Sequence, residues 1–361
     1  MTSRLTVALV TTAQSWRGSA SVFAAVAQGL AGRGHAVHAL VASPSLETGF
    51  EDRRIPVTRL EIGDTGLRQA WRLRRALRGL HAGVALVDKA RDVRLAALAS
   101  WLRPLRIVYC ISTPAMPGDP LTRLLFRRVA LTVFLTEGLE RSFLERQPYM
   151  GRRPHTVIHN GVDVSRFRPD AAAGSAFRRR IGIERGPLLV AVAALHPEKR
   201  LDWLLDAVAR LSPGAPPLVI CGGGGERDAL AARAQRLGLD LRLPGHLPPD
   251  EIIGAYNAAT VVVHACPDEG FPLSITEALA CGRPVLAVEG GGTPEVLGDA
   301  GVVAPRDDPR EFARLLGALL EDSSRREALG AAARRRAAER FTVERMQQRY
   351  AEAVEALVSA R

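Results

Sequence analysis

Twelve short apolar runs alternate with helical stretches along this chain, and no other feature limits its fold so tightly. RLTVALV, AVHALVA, GVALVD, LRIVYCI, ALTVFL and HTVI fill the first half, and PLLVAVA, PPLVIC, LRLPG, TVVVHAC, PVLAV and GVVA the second. The runs are continuous in apolar residues rather than alternating, as expected of parallel strands buried on both faces. Between them lie stretches such as SASVFAAVAQGLAGRG, where Gly32 and Gly34 act as helix stop signals. Residues 159–186 break the rhythm with turn residues and polar clusters. Two successive series of this kind predict an α/β chain of two doubly wound domains facing each other across a cleft. A length of 361 residues fits two domains as well. The expected boundaries are 1–165 and 166–340, with a last helix at 341–361 beyond the second domain's final strand.

Charge divides the halves. Residues 1–168 carry 25 Lys and Arg against 12 Asp and Glu, a balance of +13, while residues 169–361 carry −2. Arg dominance over Lys is a compositional habit of the chain, but it does not explain why the halves differ. An anionic partner of the first half is expected: a membrane surface or a phosphorylated substrate. Nucleic acid is not expected, because no aromatic residues interleave with the basic ones. The four cysteines lack CxxC spacing and sit in apolar runs, so they read as buried reduced thiols of a cytoplasmic protein. No window approaches 18 consecutive apolar residues and the N-terminus runs straight into a strand, so neither a transmembrane helix nor a signal peptide is expected.

Open parallel sheets bind ligands beyond the carboxyl ends of their strands, which selects the loops worth reading. TVVVHACP leads into Asp268-Glu269-Gly270-Phe271-Pro272, then Leu273 and the Ser274-x-x-Glu277 spacing of a capping box. Glu277 therefore reads either as a cap or as a ligand-binding acid. A helix start offers N–H groups to a phosphate, and a neighbouring carboxylate can accept bonds from vicinal hydroxyls. Lys199, one of two lysines in the chain, follows another strand's carboxyl end and suits a diphosphate. Gly222–Gly225 and Gly290–Gly292 are weak phosphate-loop candidates, fitting no complete fingerprint. In the first half, Trp16-Arg17-Gly18-Ser19 opens a helix after the first strand, a further cradle for phosphate or sugar.

These residues carry a resemblance. EGFPLSITE (269–277) resembles the E-x7-E signature of retaining glycosyltransferase family 4, and HNGVDVSRFRP, LHPEKRLDWLLDAV and CGRPVLAVEGGGTPEVLGDAGVVAPRDD fit the same family. The resemblance implies the GT-B architecture of two Rossmann-like domains, an acceptor domain first and a nucleotide-sugar domain second, with the last helix crossing back. It implies that Glu269 binds donor-sugar hydroxyls, helped by backbone N–H groups of Gly270 to Leu273. Glu277 would hold the ribose and Lys199 the diphosphate, while Gly245-His246-Leu247 would lie along the base. Two departures stand out. Ala194 occupies the place of a common Arg, so Arg17, Lys89 or helix N-termini must supply charge. Ser112 and Thr113 stand where relatives often carry a cleft His.

The expected activity is transfer, with retention, of a sugar from a nucleotide-diphosphate sugar such as a UDP- or GDP-sugar. The acceptor is a hydroxyl on a glycan, a lipid-linked glycan or a small molecule. No D-x-D or metal-ligand spacing occurs, so no divalent ion and no further cofactor is expected. Rivals on the same fold are a nucleotide-sugar epimerase and a non-catalytic sugar-nucleotide-binding relative. In LRQAWRLRRALRGL (67–80), Ala70, Leu73, Leu77 and Leu80 recur at helical spacing with Arg68, Arg72 and Arg75 on another face. That face is expected either to be merely solvated or to bind peripherally at the inner face of the plasma membrane.

Overall fold

The computed structural model describes residues 4–16, 18–62, 66–101, 104–112, 120–211 and 213–359. The chain forms two compact units: Met1–Gly161 together with Val343–Arg361, and Val162–Thr342. In the first unit, β1 (Thr6–Thr11), β2 (Ala36–Val41), β3 (Val57–Arg59), β4 (Val84–Val87), β5 (Arg106–Ile111), β6 (Val129–Phe134) and β7 (His155–Val157) form one sheet. Its order is β3-β2-β1-β4-β5-β6-β7, with every pairing parallel. In the second, β8 (Leu189–Val192), β9 (Leu218–Cys221), β10 (Leu241–Gly245), β11 (Val261–His264), β12 (Val285–Val288) and β13 (Val302–Ala304) follow the order β10-β9-β8-β11-β12-β13, again all parallel.

Both sheets are sandwiched by helices, which is why their central strands read as unbroken apolar runs. Leu9 of β1 lies in register between Ala39 of β2 and Leu86 of β4, and all three are fully buried. The twelve runs recognised in the sequence are all strands. The exception to that reading is β3, which it missed: VTR is three residues long, and Thr58 and Arg59 are exposed at the sheet edge. A strand so short and so little buried leaves no apolar signal.

The last helix, Val343–Ser359, belongs to the first unit. Met346, Tyr350, Ala351 and Val354 join the first sheet's core, beside Phe23, Ala27 and Leu30 of helix Gly18–Gly32. Gln347 donates to the carbonyl of Ala25 at 2.8 Å, and Arg33 grips Glu355 through two 2.9 Å bonds. All four cysteines are buried and free. Among the described residues no helix is long and apolar enough to cross a membrane.

Candidate functional site

Strand order reverses direction between β8 and β11 in the second unit, and crevices form at such switch points. Lys199 and Glu269 arrive there from the two flanking loops. After β8 the chain makes a single 3-10 turn, Pro197–Lys199, opened by proline and closed by Arg200 in the left-handed region (φ 51°). After β11 it runs through Cys266 and Pro267 to Glu269. The Lys199 ammonium donates to the Glu269 carboxylate, with each side chain about a fifth exposed. Burial opposes the lysine's charge, but the charge and hydrogen bond of Glu269 outweigh it and raise the Lys199 pKa above its ordinary value. The Cys266 thiol donates to the Glu198 carbonyl at 3.1 Å, tying the two loops together. His264 lies below them with Nε2 3.7 Å from Glu269, and burial lowers its pKa.

The glycine loops act on this geometry from behind. A Cβ on Gly291 (φ 50°) would lie 2.1 Å from the Glu269 carbonyl oxygen, which also accepts from Gly292 N–H at 2.8 Å. A Cβ on Gly222 would lie 1.9 Å from the Ala193 carbonyl oxygen. Both loops therefore need glycine to let backbone approach the segments that carry Glu269 and Lys199. Close packing accounts in this way for Gly222, Gly224, Gly290 and Gly291, while a Cβ on Gly225 would meet nothing within 4 Å.

Helix Leu273–Ala280 follows Glu269, and here the capping-box reading is overturned. Pro272 is the N-cap and no side chain caps the helix; Ser274 is already inside the first turn. Glu277 instead accepts a 2.7 Å bond from the buried Tyr256 hydroxyl, which comes from helix Pro249–Ala258. Burial pushes the Glu277 pKa up to about 7 against the opposing effects of the Tyr256 bond and Arg166. Phe271, buried, packs edge-on against Phe341 at 5.6 Å and fixes the loop before the helix. Gly270 and Pro272 are buried, and Leu273 is partly exposed. Gly245 ends β10 with φ 87°, its carbonyl accepting from Gly222 N–H; His246 next to it is exposed and Leu247 buried.

The first unit has its own switch point, between β1 and β4. Lys89 stands there as the N-cap residue of helix Ala90–Ala99. Beside it lies a pair of acids that sequence reasoning missed. Asp92 is fully buried and accepts from the Thr12 hydroxyl at 2.5 Å, while Arg91 donates to that hydroxyl and to the Thr12 carbonyl. Burial, then the charge of Asp88, holds Asp92 well above the ordinary carboxylate range. Gly18 opens helix Gly18–Gly32 and is exposed, and Ser112 is exposed just past β5. Trp16 packs edge-on against Phe50 at 5.3 Å under the Arg53 guanidinium, so it braces the loop from inside. Arg17 and Thr113 lie outside the described residues. Among the described residues, no three His, Cys, Asp or Glu side chains are grouped to hold a metal ion.

The structure thus brings Lys199 and Glu269 into contact, with Glu277 one helix turn on, and leaves Lys89, Gly18 and Ser112 in the other unit. No spacing rule signals Tyr256 or Asp92, whose partners lie 21 and 80 positions away.

Comparison with known proteins agrees with this layout. The Glycosyltransferase Family 4 model matches residues 16–166, and the Glycosyl transferases group 1 model matches residues 175–336. D-inositol 3-phosphate glycosyltransferase of Corynebacterium jeikeium is 36% identical over 189 residues, 48% of this chain and 45% of that protein. GDP-mannose-dependent alpha-(1-6)-phosphatidylinositol monomannoside mannosyltransferase of Mycolicibacterium smegmatis is 34% identical over 191 residues, 48% and 49% of the two chains. The chain spans about half the length of the curated relatives it matches. Anabaena HepE, solved in complex with UDP-glucose, has the same fold, with a TM-score of 0.85 at 20% identity over 98% of this chain and 100% of that one. A glycosyltransferase domain model thus matches each half of the chain, Glycosyltransferase Family 4 the first and Glycosyl transferases group 1 the second, and the fold throughout is GT-B.

Proposed function

We propose that this protein is a hexosyltransferase that moves a sugar from a nucleotide-diphosphate sugar to an acceptor hydroxyl, retaining anomeric configuration and using no metal ion. One observation carries the reading: a lysine and a carboxylate paired at the switch point of the second sheet, beside a helix start with no side-chain cap. In this reading the donor diphosphate takes Lys199 away from Glu269 and lies against the N–H groups of Leu273 and Ser274. Glu269, released, accepts bonds from the sugar hydroxyls, and Glu277 accepts from the ribose. As the bond to the sugar breaks, negative charge grows on the leaving phosphate, where the Lys199 ammonium and the helix start oppose it. The acceptor hydroxyl attacks on the same face and gives its proton to the departing phosphate oxygen, so no protein base is required.

The relatives suggest the substrates: one is named for GDP-mannose, another for inositol phosphate, and HepE was solved with UDP-glucose. The acceptor in this reading is a polyol or glycan hydroxyl near an anionic group, soluble or in a lipid headgroup. It reaches a cytoplasmic enzyme bound peripherally to an anionic membrane through the first unit. The test is a panel of UDP- and GDP-sugars screened by thermal stabilisation, followed by mass spectrometry of acceptor mixtures. A product heavier by one hexose is expected with one donor. Stabilisation by nucleotide sugars without transfer or donor hydrolysis would leave a binding protein instead. Lys199→Ala should weaken nucleoside diphosphate far more than nucleoside, with Lys199→Arg a partial rescue; equal losses would put Lys199 away from the phosphates.

A further inference from the structure

The amino-terminal edge of the second sheet carries a recess of about 670 Å³, at the opposite strand ends from Glu269. Thr260, which precedes β11, and Pro284, which precedes β12, form part of its wall. Four arginines line it: Arg178, Arg283, Arg326 and Arg334. Each is partly buried, and each is held by neutral oxygens. Arg178 donates to the carbonyls of Ala258 and Gly186, Arg326 to those of Leu319 and Leu320, and Arg334 to those of Phe167, Ala280 and Val164. Arg283 donates to the Asn257 side-chain oxygen at 3.1 Å, and its Nε is buried with no acceptor.

Carbonyls satisfy donors but cancel no charge. Among the described residues none of the four guanidiniums has a carboxylate within ion-pair distance. The one acid lining the recess, Glu327, is exposed and pairs with none of them. Burial and then the proximity of Arg178 oppose the Arg283 charge, so the two cations repel each other in a sheltered place. Elsewhere in this unit partly buried arginines are neutralised: Arg233 by Asp206 and Arg200 by Asp307. A guanidinium has five N–H donors in a planar fork that matches phosphate oxygens. The volume is that of a small-molecule site rather than of one ion.

We propose that this recess is a second, phosphate-recognising site for a soluble phosphorylated small molecule, separate from the switch-point site and independent of the function proposed for it. Inorganic pyrophosphate is the probe, titrated calorimetrically at low ionic strength into the full chain carrying Lys199→Ala, which weakens the switch-point site. Saturable binding is expected to persist there and to fall as salt rises. Adding Arg283→Gln and Arg326→Gln should weaken it at least about tenfold, since charged hydrogen bonds are lost. Ala331→Glu is the companion variant, because it sets a carboxylate on an exposed helix position at the rim. It should weaken pyrophosphate to a similar degree and raise the melting temperature of the ligand-free protein. The proposal is overturned if Lys199→Ala alone abolishes binding, or if neither Ala331→Glu nor the arginine pair changes the affinity.

Discussion

Glu269 and Lys199 are 70 positions apart and hold each other in the absence of any ligand. A partly exposed ion pair is worth little to the fold, roughly 0.2–1 kcal/mol. In the proposed function a donor replaces the pair, so Glu269→Ala should leave the melting temperature nearly unchanged. Hydrogen bonds to a charged group are worth ~1.5–3 kcal/mol each, so loss of two should cut turnover by orders of magnitude. Near-normal turnover would show that Glu269 does not hold the donor. Glu277 makes a different prediction, about protons. Its pKa of about 7 in the folded chain lies above its ordinary value of 4.5, so the folded chain keeps a proton there that the unfolded chain releases. That contribution to stability is fully present below pH 4.5 and is lost as the pH rises to about 7. In the proposed function a ribose hydroxyl donates to the ionised form, so nucleotide binding should expel this proton and be about tenfold tighter at pH 8 than at pH 6. Calorimetry in buffers of different ionisation heat measures the release. Binding with no proton release, or with the same pH slope in Glu277→Gln, would leave Glu277 a partner of Tyr256 alone.

Helix Leu67–Gly79 turns Ala70, Leu73 and Leu77 into the core and leaves Arg68, Arg72 and Arg75 exposed. Leu80, read as part of the apolar stripe, is the C-cap residue beyond the helix and only half-buried. The exposed side is not purely basic. Leu67 and Trp71 stand out at 83% and 60% exposure, and Trp101, Leu121 and Leu124 complete the set of exposed large apolar side chains among the described residues. All belong to the first unit. Arg74 donates to the Trp101 carbonyl at 2.9 Å, and Arg128 to that of Ser100, which links these elements at one end of helix Ala90–Ala99. Arginine beside exposed tryptophan suits the boundary between water and lipid. Sedimentation with anionic but not zwitterionic vesicles is therefore expected, at ~1 kcal/mol per basic residue. Salt should reverse it, and Arg68/Arg72/Arg75→Gln should weaken it. Trp71→Gln should lower the fraction that resists salt. Protein left in the supernatant with both vesicle types at low salt would favour a soluble acceptor.

At the scale of the molecule, the chain visits the second unit and returns, so residues 343–359 stabilise residues some 320 positions earlier. Burying one large apolar side chain contributes ~1.5–3 kcal/mol, and this helix buries Met346, Tyr350 and Val354. Their sum rivals the ~5–15 kcal/mol by which a typical domain is stable. Ending the chain at Thr342 should therefore lower the first unit's melting transition by many degrees while the second unit's transition stays in place. One unshifted calorimetric trace would contradict this packing. The order of the buried strands, the parallel sheets and the likeness to glycosyltransferases were legible in the sequence, because strands buried on both faces must be apolar throughout and the motifs that carry the likeness are local. The place of Lys199 and Glu269 at strand ends was legible for the same reason. Strand β3 was not, since three residues at a sheet edge bury too little to leave a pattern. The capping box was legible and wrong: S-x-x-E spacing measures distance along the chain, whereas Tyr256, delivered by another helix, and Pro272 at the true N-cap decide what Glu277 does. The sequence by itself determined the buried strands and their order, because an apolar run depends on neighbours within a pleat. Only the tertiary structure decided which polar groups meet, Lys199 with Glu269 and Thr12 with Asp92, and which charge, that of Arg283, meets no carboxylate. Pairing energy depends on separation in space and on burial, and neither can be read from spacing along the chain.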